Sequence, residues 1–228
     1  MIQKRIALIV AIAFLALVFW FSYPLQQLFF EALEYIEAFH DEHPVLSIML
    51  FVGIGILASL LGPVGSAPFV PPAVTIWGEG ETFWFLLSGW ILGALISYGV
   101  GYWGGYPLIR KMFGENKILK YQHVLNKKSQ FAVVLAARLA LPAEIMGYGM
   151  GALRYAFAPY MLATLIAEII FAFITVYASG AFLAGDIETV AVFLILAALI
   201  IIISIRAMRA YHVRAHLVEK EENKYNEK

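Results

Sequence analysis

The sequence contains no cysteine, which excludes disulfide bonds, thiolate metal sites and cysteine nucleophiles. Charged residues make up only 14% of the chain against 62% hydrophobic residues, which excludes an ordinary soluble domain. The five histidines all lie in polar segments, and none belongs to a His-Glu-x-x-His arrangement, so metal chemistry is not expected. These absences leave an integral membrane protein as the class that the sequence favours.

Several enzyme signatures are missing too. The chain has no Gly-x-Ser-x-Gly elbow, no P-loop and no dinucleotide-binding Gly-x-Gly-x-x-Gly that opens a helix after a strand. Its apolar segments hold no aspartate, which argues against an Asp-rich, metal-dependent lipid transferase. We therefore do not predict an enzyme, and we expect neither a cofactor nor a nucleic-acid partner.

The most informative stretch, residues 131–160, is apolar and yet holds Arg138, Pro142 and Glu144. An ionisable residue at bilayer depth costs roughly 2.5–3.5 kcal/mol on insertion scales, so it faces protein or a water-filled cavity and indicates a functional site. A broken helix is tolerated in hydrocarbon only under the same conditions. We therefore predict a re-entrant helical hairpin over residues 131–153.

A second proline-rich break predicts another re-entrant hairpin, over residues 44–78. Its first arm is the apolar run from Pro44 to Leu61, after which prolines prevent the helix from continuing. The predicted tip residues are Gly62, Pro63, Pro68 and Gly78.

Four apolar segments predict transmembrane helices, at residues 6–21, 83–103, 160–183 and 190–205. No small-residue cleavage site follows the first of them, so we interpret it as an uncleaved anchor. We divide the chain into an N-terminal anchor helix (1–23), an extracytoplasmic amphipathic helix (24–43), a central domain (44–184), a last transmembrane helix (185–206) and a charged tail (207–228). The expected fold is all-α: four transmembrane helices plus two opposed re-entrant hairpins that form an inverted repeat.

The basic residues predict the orientation. Every Lys and Arg except Arg138 lies on one side of this scheme, in the N-terminus, the 106–130 loop, Arg154 and the tail. The positive-inside rule places that side, with both chain termini, in the cytoplasm. We expect a multi-pass protein of a prokaryotic plasma (inner) membrane.

Arg138 is the basic residue predicted to lie at depth. Its guanidinium is a planar fork suited to phosphate, and the half-helix after Pro142 would add free N–H groups. Gly147 and Gly151 on that half-helix join them as headgroup-binding candidates, although close helix packing explains these glycines equally well. The alternative for Arg138 is an ion pair with Glu144 that only fixes the hairpin turn.

Two acidic residues are candidates for proton coupling or charge balance. Glu144 could carry a proton, or it could interact with the helix dipole and with Arg138. Glu168, in the middle of a predicted span, could transfer a proton, pair with Arg138 or make an interhelical hydrogen bond.

Two sets of residues resemble a known family. The second signature of the DedA/VTT-domain (SNARE-associated Golgi-type) membrane proteins is similar to Phe131, Arg138, Leu139 and Pro142, followed by Gly147, Gly151 and Tyr160. Their first signature is similar to Gly62, Pro63, Pro68 and Gly78, followed by Gly89, Gly93, Tyr98 and Gly101. Gly101 is followed by Tyr102 and Trp103 instead of the usual arginine, and the first hairpin lacks the acidic residue of many bacterial members. The resemblance is therefore to a divergent branch of the family.

The resemblance covers residues 44 to 184. It implies two facing hairpins and a role in moving lipid-linked phosphates, such as undecaprenyl phosphate, between leaflets, with a link to the proton-motive force. We predict a lipid flippase or scramblase whose partners are membrane lipids, and we leave a homo-oligomer open. The alternatives are a proton-coupled transporter of a small solute or ion, and a non-transporting scaffold that acts through the 106–130 loop and the tail.

Overall fold

The computed structural model describes residues 36, 38–61, 65–107 and 131–226, with side chains as far as residue 208 and at residue 210. Contacts divide the chain into two units, Met1–Ser47 and Ile48–Lys228. In the first unit residues 38–42 are helical. The predicted anchor, most of the predicted amphipathic helix and most of the basic loop lie outside the described residues.

Most of the described residues are helical, and no strand occurs among them. The elements are α1 (Pro44–Leu61), a 3₁₀ turn (Ala67–Phe69), α2 (Val70–Val100), a π-helical segment (Gly101–Gly105), α3 (Phe131–Ala140), α4 (Ala143–Ala152), α5 (Phe157–Leu183) and α6 (Ile187–Asn226). This confirms the expected all-α class.

Four stretches of the described residues are long and apolar enough to cross a membrane. They are Pro44–Leu61, Ala67–Gly105, Phe157–Leu183 and Ile187–Met208. The last three contain the predicted spans 83–103, 160–183 and 190–205, while the predicted span 6–21 lies outside the described residues. The first differs from our prediction, since α1, expected as a hairpin arm, has 18 residues and a length of about 27 Å.

The helices of the predicted second hairpin are much shorter. Both α3 and α4 have 10 residues, which is a length of about 15 Å, half of a ~30 Å hydrocarbon core. They are separated at Leu141 and Pro142, because proline lacks the N–H that would continue the helix. Neither helix can cross a bilayer by itself.

Gly78 interrupts α2 with φ +74° and ψ 174°, a backbone conformation that is essentially restricted to glycine. The break separates a short helix, residues 70–77, from a long one, residues 79–100. Prolines in the first turn of the short helix suit its start, where their missing N–H groups have no helical partner. Gly78, predicted as a tip residue of the first hairpin, thus lies at the end of the short helix that follows the 3₁₀ turn.

Gly78→Ala should destabilise the folded protein by about 1–3 kcal/mol, because alanine is strained in this conformation. The site itself has room for a methyl group: a Cβ there would meet Glu81 Oε2 at 3.7 Å. Gly80→Ala is the matched control, since Gly80 is helical and has open space, so alanine should be neutral or stabilising by up to ~1 kcal/mol. Thermal unfolding of the two variants in detergent tests this, and equal melting temperatures would refute it.

Small residues bring α1 against α2. A Cβ on Gly55 would lie 3.2 Å from Gly89 Cα, and one on Gly93 would lie 2.9 Å from the Ile56 carbonyl oxygen. Two buried clusters complete the packing: one contains Phe51, Val70, Ala73, Leu86, Leu87, Ala172 and Val176, and the other Tyr98, Val134, Ala137, Met146, Tyr155, Tyr160 and Ala163. The two clusters set α2 and α5 side by side along much of their length.

Asp186 begins α6. Its carboxylate accepts hydrogen bonds from the Thr189 backbone N–H (3.0 Å) and the Thr189 hydroxyl (2.6 Å), which is the arrangement of a helix N-cap. These bonds hold the pKa of the exposed Asp186 carboxyl below its usual value. The apolar side chains that follow, such as Val192 and Ile203, are mostly exposed, as on a lipid-facing helix.

Candidate functional site

Arg138 lies in the last turn of α3 and is only 4% exposed. Its Nη2 forms an ion pair with Glu168 Oε1 on α5. Its Nε donates a hydrogen bond to Thr164 Oγ1, at 3.3 Å. Within the part of the chain that the structure describes, Nε and Nη2 are engaged and Nη1 has no hydrogen-bond partner.

Glu168 lies on the face of α5 that points into the protein, as Thr164 and Tyr160 do, because residues four apart share one side of a helix. A rise of 1.5 Å per residue places Glu168 about 17 Å along α5 from Phe157. The middle of a ~30 Å hydrocarbon core is about 15 Å deep. The ion pair therefore lies near the middle of this span.

Tyr160 extends the polar contacts from α5 to α2. Its hydroxyl donates to the Ala94 carbonyl oxygen at 3.2 Å, and the Ser97 hydroxyl donates to the same oxygen at 3.0 Å. The α5 side chains Tyr160, Thr164 and Glu168 are buried. Ser97 on α2 and Arg138 on α3 are buried too. We call Ser97, Arg138, Tyr160, Thr164 and Glu168 the deep polar cluster.

Gly147 and Gly151 allow α4 to pack closely against α2. A Cβ on Gly147 would overlap the Ser97 hydroxyl, and one on Gly151 would overlap the Tyr98 carbonyl oxygen. Gly101 approaches the Tyr148 carbonyl oxygen in the same way from the other side. Of the two roles predicted for Gly147 and Gly151, this geometry favours close packing over direct contact with a headgroup.

Pro142 and Glu144 stand at the beginning of α4. Pro142 is the N-cap, with extended backbone (φ −55°, ψ 144°), and Glu144 is half-buried in the first turn. No ion pair joins Glu144 to Arg138, whose carboxylate partner is Glu168. The alternative in which Arg138 pairs with Glu144 across the turn is therefore wrong, and the alternative that pairs it with Glu168 is confirmed.

The predicted tip of the first hairpin is described in part. Gly62 and Pro63 lie outside the described residues, and Pro68 is exposed within the 3₁₀ turn. Two positions before it, Ser66 is buried and accepts a hydrogen bond from Trp90 Nε1 at 3.0 Å. Nearby, the Tyr148 hydroxyl of α4 donates to the Leu60 carbonyl oxygen at the end of α1, at 3.1 Å. The end of the first arm and the second half-helix are thus in contact.

A model of the VTT domain family matches residues 45–181 of the chain. The chain belongs to this family. A curated archaeal relative, the uncharacterized protein MJ0201 of Methanocaldococcus jannaschii, is 24% identical over 118 residues, which cover 51% of this chain and 74% of the relative. No solved structure matches. The resemblance predicted from the two signatures is therefore confirmed.

The VTT domain, as matched, contains the whole deep polar cluster and ends before α6 begins. Proteins of the family are generally transporter-like membrane proteins. Among the described side chains of this member, no group of three or more histidines and carboxylates comes together to hold a metal ion. The chemistry available in the cluster is that of an arginine fork, one carboxylate and three hydroxyls.

Sequence reasoning on this VTT domain identified Arg138 and Glu168 but missed Thr164 and Ser97. Thr164 could have been found from the spacing of four residues from Tyr160 to Thr164 to Glu168, because this spacing puts three polar groups on one helical face. Ser97 gave no comparable signal, since its place depends on how α2 packs against α4.

Proposed function

We propose that this VTT-domain protein moves a phosphate-bearing lipid, such as undecaprenyl phosphate or a phospholipid, between the leaflets of the plasma membrane. The observation that carries the proposal is the buried ion pair of Arg138 and Glu168 between apolar helices. Holding such charges at depth is costly, and apolar side chains of similar size would serve stability equally well or better. Their presence therefore indicates a function, and an arginine fork suits a phosphate group.

The proposal includes two re-entrant hairpins. Supporting it, α3 and α4 are too short to cross and are joined by a break of two residues. The two proposed hairpins, each with the long helix that follows it, also share a backbone pattern. Gly78 (φ +74°) and Arg154 (φ +50°) each lie between a short helix and a long apolar one. A turn at matching points of both halves is what an inverted repeat would produce, and such repeats place substrate sites near the midplane.

Charge balance suggests how the site would work. Arg138 and Glu168 neutralise each other while no lipid is bound. An incoming phosphate would contact Nη1 of the guanidinium and add negative charge beside Glu168. Protonation of Glu168 would then restore neutrality, since an uncompensated buried charge is strongly unfavourable. Release of the lipid would return the proton, so exchange and proton movement would be linked.

A proton-coupled transporter of a small solute is the second candidate. The observation that favours it is the run of hydroxyl groups at Tyr160 and Thr164 beside the buried Glu168, which could pass a proton along α5. In that case Arg138 would tune Glu168 and would bind no lipid.

Leaflet exchange in proteoliposomes tests the proposal. We expect wild type to exchange labelled polyprenyl phosphate and Arg138→Ala to lose that exchange, because the fork that binds the phosphate is gone. Arg206→Ala is the matched control, since Arg206 is exposed on α6 and outside the cluster, and it should exchange as wild type does. Labelled phosphatidylcholine is measured alongside. Equal exchange of the phosphate lipid by wild type and Arg138→Ala would refute a headgroup role, and uptake of a soluble solute without lipid exchange would favour the second candidate.

A further inference from the structure

Arg154 stands at a backbone position that normally belongs to glycine. It ends α4 in a left-handed conformation (φ +50°), where its N–H donates to the Gly151 carbonyl oxygen and the Tyr155 N–H donates to that of Met150, both at 2.9 Å. This bond pair defines a Schellman motif, whose left-handed residue is usually glycine because a Cβ is unfavourable there. A side chain at this point therefore costs local stability.

Two tyrosine rings hold the side chain of Arg154. Its guanidinium carbon lies 3.9 Å from the centroid of the Tyr106 ring and 5.1 Å from that of Tyr102. Both tyrosines come from the π-helical turn at Gly101–Gly105 and the residue after it, a type of turn that is common at functional sites. Both distances lie within the ~6 Å range of a cation–π contact. Within the described residues no carboxylate pairs with Arg154.

Arg154 lies just before the start of an apolar span. It precedes the apolar span Phe157–Leu183 by three positions and is itself exposed. Trp103, beside Tyr102, is 78% exposed, as aromatic residues at the lipid–water boundary are. The exposed guanidinium, just before an apolar span, is thus within reach of groups at headgroup depth.

We propose that Arg154, clamped by Tyr102 and Tyr106, is a docking site for the phosphate group of a lipid at the membrane surface. The inference rests on the proposed function and deepens it, since it adds a surface contact ahead of Arg138. The fork pre-oriented by two rings offers a phosphate two parallel N–H donors. A purely structural role would be filled better by glycine, which suits the backbone and needs no rings.

Binding to the full-length protein in detergent tests the site, with short-chain phosphatidic acid as the probe and phosphatidylcholine of equal chain length as the comparison. Arg154→Gly keeps the left-handed turn and removes the fork, so we expect about tenfold weaker binding of phosphatidic acid, as for the loss of a charge-assisted contact. Binding of phosphatidylcholine should change much less. Arg154→Lys keeps the charge without the fork, so its affinity for phosphatidic acid should lie between those of wild type and Arg154→Gly.

Stability separates the site from a structural role. We expect Arg154→Gly to melt at or above the temperature of wild type, and Arg154→Asn, which also tolerates the left-handed conformation, to behave alike. Undiminished binding of phosphatidic acid by both variants would overturn the proposal. Full competition by inorganic phosphate at submillimolar concentration would also overturn it, because the site would then take the soluble ion and not a lipid.

Leaflet exchange distinguishes this inference from the proposed function. If Arg154→Gly binds phosphatidic acid weakly while no protein, wild type included, exchanges lipid, the docking site stands and the proposed function fails. If Arg154→Gly binds and exchanges as wild type does, the docking site fails and the proposed function stands. Slower exchange at low lipid content that recovers at high lipid content supports both, since a weakened first contact is overcome by concentration.

Discussion

Arg138→Gln is expected to destabilise the folded protein by about 3–5 kcal/mol, because the buried carboxylate of Glu168 loses its counter-charge. Glu168→Gln should destabilise the folded protein at least as much. A carboxyl group left alone can take up a proton and become neutral, whereas a guanidinium cannot lose one. The Arg138→Gln variant should accordingly regain stability as the pH falls, and Glu168→Gln should not. Thermal unfolding in detergent over a range of pH values measures both effects.

The double variant Arg138→Gln/Glu168→Gln separates stability from function. It contains no buried charge, so its stability should recover most of the loss seen in either single variant. Its exchange of polyprenyl phosphate should nevertheless stay absent, because neither the fork nor the titratable carboxyl remains. Glu144→Gln is a control of the same chemistry outside the ion pair and should melt close to wild type. Wild-type exchange by the double variant would mean that the ion pair is structural.

Gly151→Ala should prevent α4 from packing against α2. The added methyl group would overlap the Tyr98 carbonyl oxygen and come within 2.8 Å of the Tyr102 backbone nitrogen, and backbone atoms cannot turn aside as a side chain can. Overpacking usually costs about 1–3 kcal/mol, and a collision with two backbone groups belongs at or above the upper end. We expect a melting temperature far below that of wild type, or no folded protein after purification.

Gly149→Ala is the matched control for this substitution. It lies in the same helix, two positions away, and a Cβ there meets nothing within 4 Å. Alanine should therefore be tolerated and should add up to ~1 kcal/mol through its higher helix propensity. If the two variants melted alike, the close contact between α2 and α4 would be refuted.

The sequence was sufficient to predict the elements that depend on local patterns. Long apolar runs predicted the helices at 83–103, 160–183 and 190–205, and Pro142 predicted the break between α3 and α4. The presence of Arg138 at depth was readable because a buried charge stands out in an apolar context. Each of these depends on one residue type or on one continuous run.

Tertiary packing decided what could not be predicted. Glu144 is closer to Arg138 in sequence than Glu168 is, yet Glu168 is the partner because α3 packs along α5. The exposed Arg154 was predicted only as a charge on one side of the membrane. Its clamp depends on where the π-helical turn directs Tyr102 and Tyr106, and no local pattern encodes that direction.

The hydrogen bond from Tyr148 to the Leu60 carbonyl oxygen bears on how the protein is made. It joins residues separated by 88 positions, and Leu60 is one of the last residues of α1, whose carbonyl groups have no helical partner. At a synthesis rate of 5–20 residues per second, Tyr148 leaves the ribosome about 4–18 s after Leu60. During that interval the Leu60 carbonyl oxygen lacks this hydrogen-bond donor. This contact of the first half of the VTT domain therefore forms only after the second half has been synthesised.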